Sequence, residues 1–177
     1  RIAPAATAVI NQGVTGPEVP ATDILGNTRI SNPEPGAYEY ITPPLPANVL
    51  VVKGNATGNN DGSSWANAFT NLQSALAAAN GTTTTEIWIA EGQYTPAPSN
   101  GDRNLSFVMK DNVSLYGGFV GTETQRTERD PLTHTVTLSG DLNGNDNYSV
   151  QPFGNIAENS YTVIRGANNA VLDGVTI

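Results

Sequence analysis

The chain has 177 residues, of which 14% are charged and 38% hydrophobic, with 18 Gly, 12 Pro, 20 Asn and 20 Thr. Thr suits strands and Asn suits turns, so this is the composition of a turn-rich, mainly β protein. A net charge of −8 with only 8 scattered basic residues excludes nucleic-acid binding, no apolar window is long enough to span a bilayer, and the lack of Cys excludes disulfides, thiolate metal sites and cysteine nucleophiles.

Residues 1–40 carry Pro4, Pro17, Pro20, Pro33 and Pro35 and show no periodic apolar pattern. Arg1 to Ile10 have neither the charged start nor the apolar run of a signal peptide, so an export signal is expected outside this segment. Residues 41–47, with Thr42-Pro43-Pro44-Leu45-Pro46, form a Pro-rich linker; prolines fix φ and lack a donor, which predicts a stiff extended connector. Asn48-Val-Leu-Val-Val-Lys53 then reads as a strand, and Gly54 to Gly62 as a turn-rich loop.

Next, Trp65, Ala68, Phe69, Leu72, Leu76 and Ala79 fall on one helical stripe, which predicts a helix over 64–80. Asp61, Ser63 and Ser64 are available as N-caps, and Asn80-Gly81 as a left-handed stop. From Glu86 onward short strands are expected at 86–90, 106–109, 113–116, 135–138, 161–164 and 170–172. Three of them end on a shared Leu-x-Gly frame at Leu115, Leu138 and Leu172. The intervals lie in the ~20–45-residue range of solenoid repeats, which suggests successive coils, with 141–159 as an excursion. A β-sandwich of spaced strands also fits these letters.

Several stretches together resemble bacterial right-handed parallel β-helix proteins of the pectin-lyase-like kind, which include polymorphic outer-membrane proteins and large surface adhesins. These are Val51-Val-Lys-Gly-Asn-Ala-Thr-Gly-Asn-Asn-Asp-Gly-Ser-Ser-Trp-Ala-Asn-Ala-Phe69, Glu86-Ile-Trp-Ile-Ala-Glu-Gly-Gln-Tyr94, Ser114-Leu-Tyr-Gly-Gly-Phe119, Leu138-Ser-Gly-Asp141 and Val171-Leu-Asp-Gly-Val-Thr-Ile177. The resemblance covers about residues 48–177. It implies a right-handed parallel β-helix (solenoid) start whose open end is capped by the helix at 64–80. Thr22-Asp-Ile-Leu-Gly-Asn-Thr-Arg-Ile30 with Gly36-Ala-Tyr-Glu-Tyr40 looks like the closing segment of another such unit. The expected organisation is therefore the end of a preceding unit at 1–40, the linker at 41–47, and the head of a second unit at 48–177.

The β-helix architecture also hosts polysaccharide lyases and hydrolases, whose chemistry needs convergent carboxylates with a base or a metal. If the three Leu-x-Gly frames stack, Tyr116, Ser139 and Asp173 lie over one another, and that ladder holds a single carboxylate. Catalytic residues are therefore not expected within this chain. Calcium is the one candidate cofactor: Asp141, Asn143 and Asn145 place oxygens at positions one, three and five of a calcium loop. Positions six and twelve are Asp146 and Pro152, where an EF-hand needs Gly and Glu, and an Asx turn explains the same letters. Trp65 and Trp88 sit on apolar stripes and are expected to pack, and His134 stands alone in a loop.

The resulting expectation is a non-catalytic structural or adhesive module of a large exported bacterial protein, extracellular or at the cell surface. Its expected partners are neighbouring β-helix units of the same polypeptide, with surface glycans or other cells as further candidates; no nucleic acid and no membrane span are expected. The alternative is the first part of a carbohydrate-active β-helix enzyme whose catalytic coils lie beyond residue 177.

Overall fold

A computed structural model describes residues 20–23, 26, 28–29, 43–149 and 154–177. The chain forms two compact units, Arg1–Pro43 and Pro44–Ile177. In the first, Gly26 N–H donates to the Asp23 carbonyl at 3.0 Å, and an antiparallel bridge joins Thr22 to Thr28 around that turn. Most of the segment expected to close a preceding unit lies outside the described residues.

The second unit begins with β1 (Val49–Val52), followed by α1 (Leu72–Ala78), β2 (Glu86–Ala90), β3 (Gly92–Tyr94) and β4 (Phe107–Val108). After these come β5 (Ser114–Phe119), β6 (Val136–Leu138), β7 (Ile164–Arg165) and β8 (Leu172–Asp173). Every strand pairing among them is parallel, in a four-stranded sheet of order β1-β2-β5-β8 and two-stranded sheets β3-β6 and β4-β7.

The β-helix expectation is corrected here. No solenoid is detected among the described residues, 24% of which are strand and 7% helix, in short parallel strands of small separate sheets. The three Leu-x-Gly frames do not share a ladder. Leu115 pairs with Leu172 and Tyr116 with Asp173, but Leu138 lies in β6 opposite Tyr94. Two of the frames pair in register, and the third repeats the letters without that backbone pairing. Asn side chains hold much of the chain between strands, as where Asn80 Oδ1 accepts from the backbone of Thr82, Thr83 and Thr84.

The capping helix is also corrected, from 64–80 to Leu72–Ala78. The first half of the stripe is not helical because Phe69 pairs with β1: its N–H donates to Val51 and its carbonyl accepts from Lys53. The N-cap is Asn71, whose Oδ1 accepts from Ser74 N–H at 2.9 Å. At the other end Lys110 Nζ donates to the carbonyls of Ala77 and Ala79, satisfying orphan acceptors of the last turn.

Alternation along the strands builds two cores. Ile87, Ile89 and Leu115 face the main one, with Phe69, Leu72, Leu76, Phe107 and Leu138; Leu172 packs partly buried against it. Val49, Val51, Trp88, Ala68 and Phe119 form the second, with Leu45 and Trp65 packed on it. Both tryptophans are thus committed to packing, Trp88 stacked on Phe119 with ring centroids 4.9 Å apart. Phe119 reaches this side because the register shifts between Ile89 and Ala90, leaving an extra residue in β5. That residue is Gly118, with φ +101 and no room for a Cβ against Pro131.

Candidate functional site

The sequence pointed to the excursion after β6, and three carboxylates do meet there. One oxygen each of Asp141, Asp146 and Glu158 lie within 4.8 Å of one another, all on half-buried side chains. Asp141 organises the turn that brings them together. Its Oδ1 accepts from Asn143 N–H at 3.2 Å and Gly144 N–H at 2.7 Å, and its Oδ2 from Asp146 N–H at 3.1 Å. Gly144 takes φ +66 at the tip, a conformation that favours glycine. Desolvation pushes the Asp141 carboxyl upward, but the surrounding backbone amides outweigh it and hold it below the usual aspartate value.

Asp146 bonds to residues on both sides of the excursion. Its Oδ2 accepts from the Tyr148 hydroxyl at 2.6 Å and from Asn159 Nδ2 at 2.8 Å, which raises the tyrosine pKa. Among the described residues its Oδ1 is buried without a hydrogen-bond partner, as is the Oδ1 of Asn159. With its amide oriented to suit its neighbours, Asn145 Nδ2 donates to Glu158 Oε1 at 2.7 Å and to the Asn155 carbonyl at 3.3 Å.

Of the three residues expected to ligate calcium, Asp141 places a carboxylate oxygen in the cluster. Asn145 presents a donor, and Asn143 points away: its Oδ1 accepts from Ser99 Oγ at 2.6 Å and Asn100 N–H at 3.0 Å, tying another loop. The carboxylates that meet Asp141 are those of Asp146 and Glu158. Asp146 stood in the motif but at the position where an EF-hand needs Gly, and Glu158 lies beyond any such loop. Calcium takes about six to eight oxygen ligands. Three converging carboxylate oxygens form part of such a shell, and the side chains around them act chiefly as hydrogen-bonded ties between the two limbs of the excursion.

Several other ionisable residues are similarly occupied. Asp173 pairs with Arg129, which also donates to the Gly117 carbonyl and lies over the Tyr116 ring. Ser139 is not stacked on this pair; its N–H donates to the Tyr94 carbonyl. Glu86 accepts from Trp88 Nε1 and from Arg126, and Glu128 from the backbone of Thr124 and Gln125. Glu123 accepts from three consecutive amides, and His134 meets Glu91 at 2.8 Å. His134 is therefore not isolated in space, although no sequence spacing announced its partner. No family model, curated protein or solved structure matches this chain.

Proposed function

We propose that this chain is a non-catalytic structural and adhesive module of an exported bacterial cell-surface protein. The observation that carries the reading is the use made of its carboxylates. Asp141, Glu123 and Glu128 each accept from two or more backbone amides, and Asp173 and Glu86 each hold an arginine against the sheet. A hydrolase or lyase needs an acid and a base free to meet one reacting bond, whereas these groups hold loops in place. The acidic surface supports an exposed setting, since net charge far from zero keeps copies of a protein apart. The stretches that resemble bacterial surface proteins add to that support.

On this reading the partners are neighbouring units of the same polypeptide, surface glycans or other cells. The test is incubation of the purified chain with a panel of acidic and neutral polysaccharides, with and without calcium. No reducing or unsaturated ends are expected. Release that disappears in Asp173→Ala or Asp141→Ala would contradict the reading.

A further inference from the structure

β1, β2 and β5 end side by side, and their continuations part there. β1 runs on into Lys53 and Gly54, β2 turns at Glu91 to enter another sheet as β3, and β5 leads into Val120. A cleft of about 630 Å³ opens at this divergence, lined by Lys53, Asn55, Thr70, Glu91, Gln93 and Tyr94 among others. Crevices beyond the carboxyl ends of parallel strands, where connections diverge, are the usual ligand sites of open parallel sheets. The volume falls within the ~300–1,000 Å³ range of small-molecule pockets.

The lining is chemically specific. Lys53 is half-buried and meets no acceptor among the described residues. Its side chain runs along Gly121, where a Cβ would come within 2.7 Å of Nζ; Gly121 has φ +97, so glycine serves both the turn and the lysine. Glu91, in the same lining, is engaged by His134 and does not pair with Lys53. The Tyr94 hydroxyl donates to the Ala90 carbonyl at 2.9 Å, and burial pushes its pKa up to about 12, so it stays neutral. Asn55 and Gln93 are exposed, and their amides make no hydrogen bond among the described residues.

An unpaired ammonium in a concave site attracts an anion, and a carboxylate in the same lining limits how much negative charge is welcome. We propose that this cleft binds a small monocarboxylate with a polar body, the carboxylate on Lys53 and the body against Asn55, Thr70 and Gln93. A dianion meets repulsion from Glu91, and a neutral molecule forgoes the ammonium. None of the carboxylates discussed under the proposed function lines the cleft, and ligand binding here neither requires nor implies catalysis.

The experiment is a titration of the ¹⁵N-labelled chain with N-acetylglycine, run beside N-acetylglycinamide and inorganic sulfate. The acid should shift the amides of Gly54, Gly92, Gln93 and Gly121 saturably, with both controls at least about tenfold weaker, which is about 1.4 kcal/mol. Lys53→Gln and Lys53→Met should lose the shifts while resonances away from the cleft stay in place. Glu91→Gln should bind the acid more tightly by a factor of several. Non-saturating shifts, equal binding of the glycinamide or sulfate, retention in both Lys53 variants, or weaker binding by Glu91→Gln would each overturn the proposal.

Discussion

Glu123 shows how single acidic residues work in this protein. Its side chain is 8% exposed, and its carboxylate accepts from the amides of Val120, Gly121 and Thr122 at 2.7–2.9 Å. Burial alone would raise its pKa, but the amides more than offset that and hold it below the ordinary glutamate value. A carboxylate with a lowered folded pKa stabilises the fold above its unfolded pKa, and the stabilisation is lost as pH falls through the folded value. Asp61, Asp102, Asp130 and Asp141 are shifted in the same direction, mainly through bonds to nearby backbone or hydroxyl groups. Thermal melts should therefore be nearly flat from neutral pH to about 5 and fall steeply below about 4. Glu123→Gln should lose about 1–3 kcal/mol at neutral pH, because one oxygen becomes a donor facing donors. Its deficit should shrink in acid, where the parent is itself protonated. A variant that melts with the parent at pH 7 would show that the amides do not need the charge.

Elements were legible where the local pattern and the long-range pairing agreed. The run Glu86 to Ala90 is the strand its β-branched and aromatic residues indicate, and Leu72 to Ala78 is helical within the stripe that announced it. The same stripe misled over 64–71, because Trp65, Ala68 and Phe69 satisfy helical spacing while serving two different cores. Phe69 gains more by bridging β1 than by extending the helix, a long-range outcome that no local window contains. β3 went unseen because Gly92-Gln-Tyr94 has no apolar alternation and exists through pairing with β6. The bulge at Ile89/Ala90 was equally hidden, though the Gly117-Gly118 pair marks where β5 can accommodate it. Its consequence is testable. Phe119→Ala should destabilise by about 3–5 kcal/mol, as expected for a large aromatic removed from a packed core. A loss below about 1 kcal/mol, in chemical denaturation with an unchanged slope, would mean that Trp65 and Trp88 close over the gap and the bulge carries little.

On the scale of the whole molecule, a chain with few charged residues uses them to fasten loops onto small parallel sheets. The candidate site follows the same rule. Asp141 was legible in the sequence because an Asp-x-Asn-Gly turn has a local mechanism, whereas Glu158 reaches the cluster only through the folded return of the excursion. On the proposed reading these carboxylates play a structural role and not a chemical one. Catalytic groups are held against their own stability, so their removal commonly leaves a fold unharmed or firmer while abolishing turnover. The most direct measurement is a paired stability and product-release assay on Asp141→Asn, Asp173→Asn and Glu123→Gln beside the parent chain. Every variant should melt at a lower temperature than the parent, and no polysaccharide should yield product with any of the four proteins. A parent that releases product, together with a variant that keeps or gains stability while losing that release, would contradict the account.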